Sequence, residues 1–225
     1  MLKLAKIDSV LSLITIISIP IGLLFAFKYA LTEVQMGLIQ KIFYFHVSSA
    51  WIGFFAFFVT FLSSILFLSL KKFIFDDIAQ ASAEIGLLFT TIVILTGPMW
   101  AKPVWGTYWT WDPRLTTTLI LWFIYVGYLM LRNFIEDMDR RAKFSAAIGI
   151  VGFIDVPIVF LSIRWWRTIH PNVVQKGGGG LESSMLVALL VCVGIFTILF
   201  FALLVRRVRI LLLEKRVSSI ESNTY

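Results

Sequence analysis

Six long apolar runs decide the solvent of this chain before any other feature is read. They cover roughly Val10–Phe27, Val47–Leu70, Ser82–Pro98, Leu115–Leu131, Ser145–Ile163 and Met185–Val205. About 20 apolar residues in a helix cross the hydrocarbon core of a bilayer, and lipid offers no partner to an open backbone. The expected fold is therefore all-α: a polytopic integral membrane protein, one six-helix membrane domain over residues 1–225, with a tryptophan-rich external segment at 97–116. Charged residues make up 15% of the chain, against about 25% in soluble domains. The first run follows Lys3 and Lys6 as a signal sequence would. It lacks a small-x-small cleavage site and Lys28 and Tyr29 follow directly, so a retained helix is expected.

Orientation follows from Lys and Arg. The N-terminus, the Lys71-Lys72 turn, the loop from Arg132 to Lys143 and the C-terminal tail together carry 13 of them, and the other three connections carry 7. The richer side is expected to be cytoplasmic, with both termini there, as an even number of spans requires. The outer segments are then Lys28–Phe45, Gly97–Arg114 and Arg164–Ser184. Both histidines and six of the eight tryptophans lie in or next to them. The net charge of +7 is read as orienting charge; no basic face with interleaved aromatics suggests nucleic acid. The one cysteine, Cys192, excludes an internal disulfide and reads as a small buried hydrophobe.

The stretch GPMWAKPVWGTYWTWDPRLT, Gly97 to Thr116, holds Trp100, Trp105, Tyr108, Trp109 and Trp111. One reading is an interfacial aromatic belt. The other is a ligand platform: were Val104–Asp112 helical, Trp105, Tyr108, Trp109 and Asp112 would share a face, a flat surface for a large planar apolar ligand with a carboxylate at its edge.

His46, in FYFHVSSAW, stands at the outer mouth of the second run. His170, in RWWRTIHPNV, precedes Pro171, which biases it toward a loop or helix end. Each alone reads first as a structural histidine. Together, as the only two in the chain and both on the outer side, they suit the axial positions of a heme iron. Lys102, Arg114, Arg164 and Arg167 bring cations to the same side, for heme propionates or for lipid headgroups. Asp155, mid-run before Pro157, can cap a proline defect or pair with a base from another helix; Glu84 lies near an inner end. The Gly177–Gly180 run has no Lys-Ser/Thr after it and reads as slack, not a phosphate loop.

WGTYWTWDPRLT resembles the "WWD" signature of the heme-handling proteins of cytochrome c maturation. The chain length, the six runs, FHVSSAW around His46 and RWWRTIHP around His170 resemble the CcmC family in particular. That resemblance implies a protein that holds heme b in its external tryptophan segment, with His46 and His170 as axial ligands. Contacts from Trp105, Tyr108, Trp109, Trp111, Asp112, Arg114, Arg164 and Arg167 are expected there. It implies transfer to the heme chaperone CcmE, with the small membrane protein CcmD and the CcmAB ATP-binding cassette complex as further partners, in a bacterial inner membrane. No catalytic residue is implied. Ser48 departs from the family pattern, which has proline there. Two rivals are weighed. A cytochrome c heme lyase of the larger WWD type would have more spans and more histidines. A proton-coupled transporter would use Asp155 at the midplane between internal repeats, and no repeat is evident.

Overall fold

The computed structural model describes residues 2–34, 36–168, 170 and 181–222. Its helices are α1 (Leu2–Leu24, widening into a π-helical turn over Phe25–Tyr29), α2 (Ile42–Leu70, entered through a 3-10 turn at Leu38–Lys41), α3 (Phe73–Trp105), α4 (Pro113–Phe134), α5 (Met138–Gly152), α6 (Asp155–Trp165) and α7 (Ser183–Ser222). Six helical units are long and apolar enough to cross a membrane, with α5 and α6 together forming one of them. Each of the six apolar runs lies inside one such unit, and the helices extend beyond the runs. The chain is an all-α, multi-pass membrane protein.

The helix ends follow local chemistry. Lys71 adopts a left-handed conformation (φ 54°), its N–H bonded to the Phe67 carbonyl, and closes α2. Asp112 caps α4, its side chain accepting from the Arg114 N–H, with Pro113 in the first helical position, where its missing N–H costs nothing. Asp137 caps α5 in the same manner. The break between α5 and α6 answers the question left at Asp155. Pro157 cannot donate to the Phe153 carbonyl; Val156 N–H does so instead, at 3.1 Å, so the defect is closed by backbone. Among the described residues no donor reaches Asp155 Oδ2.

The most extensive packing is α2 against α3, then α1 against α7. Small residues let α2 and α3 approach closely: a methyl added at Gly86 would sit 2.5 Å from a ring carbon of Phe57. Phe57 in turn stacks on Tyr125 of α4, centroids 3.4 Å apart. The large apolar side chains exposed along the helices, such as Leu95, Phe123 and Leu190, face what would be lipid.

One end of the bundle is tied by ions. Arg132 of α4 grips Asp76 of α3 with two bonds of 2.7 and 2.8 Å and reaches Gln80 as well, with both side chains of the pair almost fully buried. Arg207 of α7 binds Glu84, Lys215 binds Asp77, and Arg206 and Arg209 both hold Asp8 of α1. These pairs link α1, α3, α4 and α7. Glu84 is thus a cross-helix partner of Arg207 rather than a side chain reaching for headgroups.

Candidate functional site

At the other end, four chain segments converge. α2 begins directly after Lys41, whose buried ammonium donates to the Ala30 carbonyl at 2.7 Å and pins the preceding loop, and it carries His46 in its second turn. α3 ends at Trp105, because Gly106 takes φ +74° with its N–H on the Lys102 carbonyl. In this left-handed region a side chain is strained. Lys102 completes the turn: its ammonium donates to the Gly106 carbonyl at 2.9 Å and lies over the Tyr108 ring. Lys102 is therefore engaged locally.

This termination corrects one expectation. Val104–Asp112 is not a helix, so Trp105, Tyr108, Trp109 and Asp112 do not form a single helical face. The chain leaves Gly106 as an irregular segment, held by a Thr107 hydroxyl bond to the Trp109 carbonyl at 3.1 Å. Trp105 and Trp109 turn inward. Tyr108 and Trp111 are 62% and 76% exposed. Trp111 stays edge-on to Trp109, centroids 5.9 Å apart.

The inward groups line one cleft. Its walls are His46, Ala50 and Phe54 of α2, Val93, Gly97 and Trp100 of α3, then Trp105, Trp109, Arg114, Thr118 and His170. The space between its atoms amounts to about 830 Å³ with the open mouth included, and far less of it is enclosed. Like most sites for cofactors and other small molecules, it is mostly apolar with a few placed polar groups. Trp105 meets His170 nearly edge to face (centroids 6.3 Å, planes 62° apart) and lies 5.9 Å from Trp100 between centroids. His170 sits beyond the end of α6, off regular structure, as its proline neighbour suggested.

Of the ten residues expected to ligate or contact heme, five share this cleft: His46, His170, Trp105, Trp109 and Arg114. The other five stand apart. Trp111, Asp112 and Arg167 line a shallow neighbouring groove with Thr168, and Tyr108 and Arg164 are exposed. Asp112 starts α4 and so aims Arg114 into the cleft. The arginine is partly buried and forms no salt bridge among the described residues, although the Asp112 carboxylate lies near enough to act on its charge. Sequence reading counted Trp100 in the aromatic stretch without placing it among the expected contacts; its indole N–H is buried with no acceptor among the described residues. That reading passed over Thr96, which touches His46 at 2.8 Å. No local pattern marks Thr96, since Thr90 and Thr91 lie in the same run. The Gly177–Gly180 segment lies outside the described residues.

A family model described as "Heme exporter protein C", CcmC, matches residues 2–223. The chain belongs to the CcmC heme exporter protein C family. It is 37% identical to heme exporter protein C of Bradyrhizobium diazoefficiens over 219 residues, covering 96% of this chain and 83% of that protein. It is 31% identical to heme exporter protein C of Escherichia coli K12, covering 92% and 84%. A putative cytochrome c biosynthesis ccmC-like mitochondrial protein of Marchantia polymorpha is 37% identical over 79% of this chain and 77% of its own length. Membership in the CcmC family carries a role in heme handling for cytochrome c maturation, as a transport or handling component.

Proposed function

We propose that this protein binds heme b in the cleft, with His46 and His170 as the two axial ligands, and hands it to the heme chaperone CcmE. One observation carries the reading. The only two histidines, 124 positions apart, line a single apolar cleft walled by indoles. The residues fit this cargo. Imidazole nitrogens ligate heme iron, the indoles offer flat apolar area to a porphyrin, and a guanidinium in no salt bridge among the described residues can take an anion. Arg114 and the Trp100 indole N–H are the donors best set to take a propionate; Arg164 and Arg167, exposed, serve the rim or an incoming partner. Tyr108, Trp111 and Asp112 belong to that rim too.

The Lys and Arg asymmetry supports a cleft on the periplasmic face of a bacterial inner membrane, with both termini cytoplasmic. CcmD and the CcmAB complex are the expected companions in the bilayer. Delivery rather than thioether synthesis is the expected role. Expressed with an apocytochrome and without CcmE, the protein should yield no mature cytochrome c.

The test is the absorption spectrum of detergent-purified protein. Wild type should retain heme, and His46→Ala and His170→Ala should each retain much less. Full heme and full cytochrome c output in both variants would remove the proposal.

A further inference from the structure

We infer that Thr96 is a positioning residue for His46: it fixes which imidazole nitrogen is free and strengthens that nitrogen as a donor to iron. The second half rests on the reading of His46 as a ligand, and the first half does not.

A count of protons fixes the tautomer. Thr96 Oγ1 lies 2.7 Å from the Ile92 carbonyl and 2.8 Å from His46 Nδ1. A hydroxyl has one proton, and a carbonyl can only accept. The proton therefore goes to Ile92, the ordinary back-bond of a threonine within a helix. Thr96 then meets the histidine with a lone pair, so Nδ1 must carry the hydrogen and donate it. Nε2 is left unprotonated, on a ring that lines the cleft. The two bonds run in one direction, from imidazole to hydroxyl to carbonyl, and each polarises the other. A ring that donates its second N–H is a more basic ligand. Gly97, next in the chain, lies beside the ring: a methyl there would be in ordinary van der Waals contact with His46 Cε1, at 3.5 Å. Free histidine in water favours the other tautomer, with hydrogen on Nε2, so this arrangement is one the fold imposes.

Two measurements test it. The first needs no heme. In protein labelled with 15N-histidine and prepared without heme, only two rings contribute, and His46→Gln identifies one of them. His46 should be hydrogenated at Nδ1 near neutral pH, and Thr96→Val should return it toward the Nε2 tautomer. A wild-type His46 ring hydrogenated at Nε2 would overturn the inference.

The second is the midpoint potential of the heme-loaded protein. Thr96→Val should keep both axial ligands and shift the potential positive, by the order of tenfold in the ferric-to-ferrous binding ratio, or ~59 mV for one electron. Thr96→Ser should restore the wild-type value, and Thr96→Ala, which removes the hydroxyl without valine's shape, should match Thr96→Val. An unchanged potential in Thr96→Val and Thr96→Ala would overturn the effect on the ligand. If His46→Ala left the spectrum of heme-loaded protein unaltered while the tautomer held, the ligand reading alone would fall.

Discussion

The ring of Trp105 stands almost edge to face against that of His170, centroids 6.3 Å apart, and also meets Trp100. The indole thus joins the end of α3 to a histidine that follows α6 by only a few residues. Removing it takes away a wall of the cleft and a neighbour of a proposed ligand together. Trp105→Ala should weaken heme retention about tenfold or more, ~1.4 kcal/mol. Tyr108→Ala, three residues away and largely exposed, should change it little. Heme titration of both variants in detergent checks the contrast; equal losses would show that the cleft is drawn wrongly.

Charge at the site is unequal in the same way. Arg114 lines the cleft and forms no salt bridge among the described residues, while Arg164 and Arg167 face outward. Arg114→Leu should reduce heme retention more than Arg164→Ala and Arg167→Ala combined. Arg114→Lys should recover only part, because an ammonium lacks the planar fork that meets a carboxylate. Retention measured side by side at one salt concentration decides the matter.

The far end supplies a stability test. Arg132 and Asp76 are buried together with two hydrogen bonds. Removing one partner of such a pair costs about 3–5 kcal/mol, because the other charge is stranded, whereas replacing both by apolar groups is far cheaper. Arg132→Met should lower the thermal midpoint in detergent sharply, and Arg132→Met with Asp76→Leu should recover much of the loss. Lys143→Ala, which breaks the half-exposed Lys143–Asp139 pair, should stay within about 0.5 kcal/mol of wild type.

Gly106 carries the turn that sends Trp109 inward. Its positive φ means that any β-carbon is strained there by about 1–2 kcal/mol. Gly106→Val should therefore loosen the Trp105–Trp109 segment and lower heme retention without unfolding the bundle. Tryptophan fluorescence and circular dichroism on the same sample separate the two outcomes.

These results also show what could be read from the chain beforehand. The six helices were legible because lipid demands long apolar stretches and little else. Both histidines and the inward tryptophans were legible because their residue types are rare and topology gathers them on one side. The helix imagined through Val104–Asp112 failed at Gly106: a spacing of i, i+3, i+4 says nothing about a residue that takes positive φ in between. Arg132 counted as orienting charge, yet it is spent on Asp76, 56 positions away, and such a pairing leaves no local pattern. Thr96 went unnoticed for a similar reason, since its partner lies 50 positions back on α2.

Electron paramagnetic resonance of ferric, heme-loaded protein probes the two-histidine cleft most directly. Wild type should give a low-spin signal with two imidazole ligands, and His46→Gly and His170→Gly should each become five-coordinate and high-spin. Added imidazole should return each to low spin. A low-spin signal unchanged by either substitution would mean that these two residues do not meet at one iron.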